Sequence, residues 1–193
     1  MRIALLPGDG IGPEVAAAAR RVLESLPLEV EIEEHPFGGA AIHAAGTPLP
    51  DGTLHACRRS DAVLLAAVGL PEFDVLVMEN TFGDILSDVA AGVTGGLGLA
   101  ASASLGESGP GIFEPVHGSA PDIAGTRKAN PAGMLRSLAL ALEHGLGEPA
   151  LARALEAAVD KALEQAPTPD VGGTATTSDF GDVVLASLEV AVR

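Results

Sequence analysis

The chain of 193 residues has no tryptophan, no tyrosine and only five phenylalanines. It therefore offers little on which nucleic-acid bases could stack. Basic residues are scarce as well: 11 Lys and Arg stand against 26 Asp and Glu, a formal net charge of −15. Such a surface repels nucleic acid and anionic membrane, so neither is expected as a partner. Solubility is its plain consequence. The one cysteine, Cys57, cannot form a disulfide within the chain, which fits a reduced, cytoplasmic setting. No apolar run reaches the length of a membrane-spanning helix. The first residues enter a strand-like run, Arg2-Ile3-Ala4-Leu5-Leu6, without the basic and then long apolar stretch of a secretory leader. His35, His43, His55 and His144 have no companions at metal-ligand spacing, so no zinc cluster is visible. No local motif announces a Ser-His-Asp arrangement.

What is present suits a folded core. Hydrophobic residues make up 47% of the chain, against 19% charged, a composition that excludes disorder. Residues 3–6 read as a buried strand, followed by a glycine-rich turn at 7–12. Pro13 suits the first helical position and Glu14 the first turn. Val15, Ala18, Val22, Leu23 and Leu26 then fall at helical spacing. Residues 28–34 alternate apolar and acidic residues, as a half-buried strand does. Helices are expected at 38–45 and, after a turn at 49–52, up to Arg59. Two continuous apolar runs, 62–68 and 73–78, read as buried strands. Their connection is too short for a parallel crossover, so they are antiparallel neighbours or not adjacent. Thr81 is positioned to cap a helix over 82–91, which the glycines of 92–98 end. Residues 100–111 read as strand or loop. Pro115, Gly118, Pro121 and Gly125 mark 113–128 as one long loop. Helices follow at 130–144 and 149–165, a loop at 167–173, and a last helix to Val192 capped by Thr177 or Ser178. The expected fold class is α/β: a three-layer sheet with helices on both faces, forming a single domain over residues 1–193.

Three stretches carry candidate chemistry. Glycines stand at 8, 10 and 12, but position 13 is proline, so the dinucleotide G-x-G-x-x-G pattern is not met. These glycines serve either a turn with positive φ or the approach of a ligand to a helix N-terminus. Asp84 and Asp88 lie one turn apart on a predicted helix. Like charges at that spacing repel, and a divalent cation such as Mg²⁺ would reverse the cost; a solvated face is the alternative. The stretch from Glu114 to Asp122 packs acid, imidazole and hydroxyl into a flexible loop. An aspartate there can accept both ribose hydroxyls and repel a 2′-phosphate, favouring NAD over NADP; a surface loop satisfied by its own bonds is the alternative.

These stretches together resemble the isocitrate/isopropylmalate/homoisocitrate dehydrogenase family. Leu6-Pro7-Gly8-Asp9-Gly10-Ile11-Gly12-Pro13-Glu14 is similar to its opening, and Asn80-Thr81-Phe82-Gly83-Asp84-Ile85-Leu86-Ser87-Asp88 to its metal-binding helix. Residues 113–125, FEPVHGSAPDIAG, resemble its adenosine-binding loop nearly letter for letter. Ala129-Asn130-Pro131 and Pro169-Asp170-Val171-Gly172-Gly173 continue the match, and Phe37-Gly38-Gly39-Ala40-Ala41-Ile42 leans to the isopropylmalate branch. The resemblance covers essentially the whole chain. It implies NAD as cofactor and Mg²⁺ or Mn²⁺ held by Asp84 and Asp88. It implies that Asp122 binds ribose, and that His117, Gly118, Ser119, Ala120, Ile123 and Asn130 surround adenosine. Leu97 and Gly98 would form a second wall, with Ile11 and Glu114 near the nicotinamide end.

The departure from the family is as specific as the match. Members carry a second domain between the strands corresponding to 62–68 and 73–78; here Gly69-Leu70-Pro71-Glu72 stands in its place. The resemblance places in that domain the arginines that grip substrate carboxylates, the catalytic tyrosine and lysine, a further metal-binding aspartate and the main dimer contacts. This chain has no tyrosine, and neither of its lysines, Lys128 and Lys161, matches the catalytic one. A homodimer cannot supply in trans what no copy possesses. The expected function is a minimal or engineered NAD-binding domain with weak or vestigial cofactor affinity and no catalytic residues of its own. An active reduced 2-hydroxyacid oxidoreductase and an accessory subunit of a larger paralogue are the alternatives. Loss of the second domain would also leave apolar patches near 82–92 and 131–145, inviting a homodimer.

Overall fold

A computed structural model of the chain describes residues 1–67, 96–107 and 109–191. The expected strand at 73–78, the Thr81-capped helix at 82–91 and the junction at 69–72 lie outside the described residues.

The chain opens with β1 (Arg2–Gly8), α1 (Gly12–Ser25), β2 (Glu31–Glu34), α2 (Gly38–Ala45), α3 (Asp51–Arg59) and β3 (Ala62–Ala67). After the undescribed stretch come β4 (Ala101–Ser104), β5 (Gly111–Pro115), α4 (Ala132–Leu140), α5 (Pro149–Gln165) and α6 (Thr177–Ala191). The sheet runs β2-β1-β3-β5-β4. β2, β1, β3 and β5 are parallel, with Ile3 opposite both Ile32 and Ala62, and Leu64 opposite Phe113. Among the described residues, only β4, at the edge, is antiparallel to its neighbour β5.

β3 and residues 3–6 of β1 are apolar throughout because both sheet faces are covered. Ile3, Leu5, Leu64 and Phe113 enter the large core with Val15, Val22 and Leu23 of α1, Met134, Leu135 and Leu138 of α4, Leu155 and Val159 of α5, and Phe180 and Val184 of α6. Ala4, Leu6 and Val63 turn to the other face and form a small cluster with Phe37 and Cys57 packed against it. Helices thus cover both faces, as expected for a layered α/β chain, and the thick side holds most of the apolar mass.

Several boundaries differ from the sequence reading. Residues 113–115 are strand, not loop. Phe113 is fully buried between β3 and β4, and Pro115 is tolerated because it ends the strand, where its missing N–H is not needed. The Phe113 ring also needs room: a Cβ on Gly111 would come within 2.9 Å of it, and one on Gly145 within 3.1 Å. β2 is shorter than residues 28–34. The helix expected to 144 is α4 up to Leu140, followed by one wide turn over Ala141–Gly145. The last helix is capped one residue earlier than read. Thr176 and Asp179 exchange hydrogen bonds, Thr176 N–H to Oδ2 at 2.9 Å and Asp179 N–H to Oγ1 at 3.2 Å, a reciprocal cap. Thr177 instead donates its hydroxyl to the Ala129 carbonyl at 2.7 Å. Nor is 131–145 an apolar patch on the surface, since Ala132, Met134, Leu135, Leu138, Ala141 and Leu142 are all buried in the main core.

One polar contact locks the carboxyl end of β1 to α2. The Asp9 carboxylate accepts the Gly39 N–H at 2.8 Å and the Ala40 N–H at 2.7 Å. These are two of the donors that a helix N-terminus leaves unpaired, and Phe37, in the cap position, makes no side-chain cap bond. Asp9→Ala is expected to destabilise the fold by about 1–2 kcal/mol, in the range of a lost N-cap. Urea unfolding measures it, and an unchanged midpoint would remove Asp9 from this role.

Candidate functional site

Parallel sheets of this kind take ligands off the carboxyl ends of their strands. There the turn after β1 meets the loop after β5. The Ile11 N–H donates to the Ser119 carbonyl at 2.8 Å, and the Gly125 N–H to Glu14 Oε1 at 2.5 Å. Gly8 and Gly10 have φ of +68° and +58°. A Cβ on Gly10 would stand 1.9 Å from the Ser119 carbonyl oxygen. Of the two readings of this turn, the structure supports the conformational one: what approaches its backbone is the protein's own chain.

The loop after β5 turns through Ala120, at φ +39°, into a single 3-10 turn over Pro121–Ile123. It closes one side of a cleft of about 380 Å³. Ile11, Gly98, His117, Gly118, Ala120, Ile123 and Asn130 all line this cleft, together with Lys128, Ala129 and Asp170. These residues come from well-separated parts of the sequence. Gly98 arrives on the 3-10 turn Leu97–Leu99, which Leu97 opens.

Of the other expected residues, Ser119, Glu114 and Asp122 stand beside the cleft rather than in its lining. Ser119 faces the first turn through its carbonyl. Glu114, on β5, is half-buried, and burial raises its carboxyl above the usual range. Asp122 is exposed in the 3-10 turn, open to a ligand lying along the rim. Asp84 and Asp88 lie outside the described residues, and no group of three or more His, Cys, Asp or Glu placed to hold a metal occurs among the described ones.

The polar groups of the cleft form a chain. Asn130 is buried; its Oδ1 accepts the Ala132 N–H at 3.0 Å, capping α4, and its Nδ2 donates to Asp170 Oδ2 at 3.0 Å. The Thr168 hydroxyl donates to Asp170 Oδ1 at 2.5 Å. A Cβ on Gly98 would stand 3.1 Å from Asp170 Oδ2, so glycine keeps this wall open. Asp170 was legible only as part of a motif; nothing in the local pattern marked it as a cleft residue, because its partners are 40 residues away at Asn130 and in the turn at Gly98.

His117 is the remaining element. Its Nδ1 lies 3.0 Å from the Gly118 carbonyl. With the proton on Nδ1, Nε2 is left as an acceptor, and that atom is buried with no hydrogen-bond partner among the described residues. Burial pushes the imidazole below its ordinary pKa, against the opposing pull of its backbone hydrogen bonds and the Asp170 charge.

A larger open groove of about 640 Å³ lies at the opposite edge of the sheet, lined by Met1, Arg2, Glu29, Val30, Glu31, Arg59 and Asp61. Both its arginines are already engaged, Arg2 with Glu31 at 3.4 Å and Arg59 with Glu33 at 3.7 Å. It sits at the amino ends of the strands, and the smaller cleft is the candidate site. No helix among the described residues is long and apolar enough to cross a membrane.

A mainly parallel sheet, helices on both faces and a glycine-walled cleft at the carboxyl ends of the strands define a layered α/β domain with a candidate ligand cleft. The chain belongs to the isocitrate/isopropylmalate dehydrogenase family, whose model matches it in two pieces, residues 2–73 and 71–184. It is 30% identical to the 3-isopropylmalate dehydrogenase of Synechococcus elongatus over 355 aligned positions, covering 97% of each chain. A shorter alignment with the 3-isopropylmalate dehydrogenase of Deinococcus radiodurans reaches 50% identity over 129 residues, 66% of this chain and 36% of that one. Among solved structures, an isocitrate dehydrogenase from Methylococcus capsulatus shares the fold with a TM-score of 0.88 at 24% identity, covering 97% of this chain and 99% of that one. A β-decarboxylating dehydrogenase from Thermococcus kodakarensis does so with a TM-score of 0.83, also at 24% identity, covering 98% and 96%.

Proposed function

We propose that the chain is a minimal dinucleotide-binding module of its family, retaining the adenosine end of an NAD cleft and lacking the lobe that carries decarboxylation. One observation carries this reading: residues the family resemblance assigns to adenosine meet in a single cleft, although they come from distant stretches of chain. His117 lines the cleft, the glycines at 98 and 118 leave room for a flat ring, and Asp122 lies within the same loop for the ribose. An acid at that position disfavours a 2′-phosphate, so NAD is the expected partner rather than NADP.

The missing lobe is supported by two facts. The family match breaks and resumes at residues 71–73. An alignment of 355 positions also exceeds what 193 residues can fill, so the difference falls opposite a gap in this chain. When bound, NAD would supply a hydride acceptor. Asp84 and Asp88 are the candidates for holding Mg²⁺ or Mn²⁺, with no third acid assigned.

Half a cleft buries less ligand than a closed one, so binding is expected to be weak, with a dissociation constant above about 1 µM. Titration calorimetry and ligand-observed NMR with millimolar NAD test this together. Sub-micromolar affinity would defeat the half-pocket argument, and no NMR contact at all would defeat the nucleotide reading.

A further inference from the structure

The cleft loop holds an expensive shape. Ala120 and Arg127 are non-glycine residues at φ +39° and +59°, and Gly125 lies between them at +74°. L-residues rarely adopt such values, and they persist only where surrounding structure enforces them. Within the loop, short-range bonds make one turn: Ile123 N–H to the Ala120 carbonyl, Ala124 N–H to Pro121, and the Thr126 N–H and hydroxyl both to Ile123. These bonds shape the turn but do not place it relative to the sheet.

Two longer ties place residues 119–125, and both arise from the start of α1; the far end of the loop is held separately, the Thr177 N–H donating to the Arg127 carbonyl at 3.0 Å. The Ile11 N–H holds Ser119, and the Glu14 carboxylate holds Gly125 at 2.5 Å across 111 residues of sequence. The pair brackets Asp122. The first tie is backbone to backbone and indifferent to side chains; the second depends entirely on one carboxylate. The other oxygen, Glu14 Oε2, is buried with no partner among the described residues. An acid whose only need was a good place at a helix N-terminus would keep that oxygen in water.

We propose that Glu14 is the positioning residue of the cleft: its carboxylate fixes the 119–125 loop against α1 and so sets where Asp122 and Ile123 stand relative to a bound nucleotide. This role rests on the nucleotide reading above. Glu14 itself does not line the cleft, and it acts through the loop.

Three variants separate this from a general effect on α1. Glu14→Gln retains an acceptor oxygen at the same reach. Glu14→Asp retains the charge in the first turn but is one methylene short. Glu14→Ala loses both. Two readouts apply: amide hydrogen exchange at Gly125 and Thr126 in the free protein, and AMP affinity by ligand-observed NMR. Glu14→Ala and Glu14→Asp are expected to speed exchange at Gly125 by about tenfold or more, the effect of losing one hydrogen bond to a charged group. AMP binding should weaken by a similar factor. Glu14→Gln should keep both within about threefold of the parent chain. Unchanged exchange in Glu14→Asp, or Glu14→Gln behaving like Glu14→Ala, would overturn the proposal. If the parent chain does not bind AMP, the nucleotide reading fails and this role in positioning a ligand fails with it; faster exchange would then show a structural tie alone.

Discussion

Gly8→Ala is expected to cost more than about 3 kcal/mol or to prevent folding, through backbone crowding rather than lost flexibility. At φ +68°, a Cβ on residue 8 would stand 1.7 Å from the Ala67 carbonyl oxygen and 2.9 Å from its carbon. Neither atom can swing aside. Ala67 ends β3, is in register with Gly8 itself, and accepts the Asp9 N–H at 2.9 Å. The clash must therefore separate two central strands or break the turn that leads into α1. Gly46→Ala is the matched control. Gly46 has φ +73° at the end of α2, and a Cβ there would meet nothing within 4 Å. It should cost only about 1 kcal/mol, the price of a left-handed alanine. Urea unfolding of the two variants compares them directly. Equal losses would show that the turn after β1 is not packed on β3 as described.

The second large effect concerns chemistry. With NAD, Mg²⁺ and 3-isopropylmalate, malate or isocitrate, the chain is expected to form NADH at less than about one ten-thousandth of a family-like rate. A β-decarboxylating dehydrogenase must clamp an anionic substrate and return a proton to the enolate left after carbon dioxide departs. Positioned acids contribute about 10²–10⁴-fold each, and loss of the carboxylate clamp compounds the deficit. The chain has no tyrosine. Lys128 lines the cleft and Lys161 lies on α5, which packs into the core on the thick side of the sheet. Arg136 is committed to the fold, donating to the Leu99 carbonyl at 3.0 Å and pairing with Asp160 at 2.8 Å. Turnover at a family-like rate, lost in Asp84→Asn, would establish the reduced-enzyme alternative and remove the binding-module reading.

Much of the fold was legible in order along the chain. α2 and α5 fall where their composition and spacing put them, and β1, α1, α3 and β3 do so within a residue or two. These elements announce themselves because the periods that bury one face, 2 for strands and 3.6 for helices, are local properties. β5 was missed for a related reason. Pro115 reads locally as a loop marker, yet it merely ends the strand, and Gly111 is small enough to admit the Phe113 ring. The cap at Thr176 was displaced by one residue because Thr177 looks equally able to cap until its hydroxyl is seen bonded to Ala129.

The candidate site divides in the same way. The loop residues His117, Gly118, Ala120 and Ile123 were readable as a motif, because a tight ligand loop concentrates its chemistry in a few consecutive positions. The place of Asp170 and Lys128 in the cleft and the supporting roles of Asp9 and Glu14 were not readable, although Asp170, Asp9 and Glu14 stand in matching motifs, since each acts on groups brought near by the path of the backbone. Asp9 serves an N-terminus 30 residues on, and Glu14 an amide 111 residues away.

The sequence by itself determined the family, the alternation of helix and strand, the acidic surface and the lack of a tyrosine or a matching lysine, all of which depend on residue identity and short spacing. Only the tertiary structure decided that residues 113–115 complete a buried strand, that α4 is core rather than an exposed patch, and that the first turn, the loop after β5 and Asp170 enclose one cleft. Those outcomes depend on which distant groups come within hydrogen-bonding and packing range, and such forces act over a few ångströms of space whatever the separation along the chain.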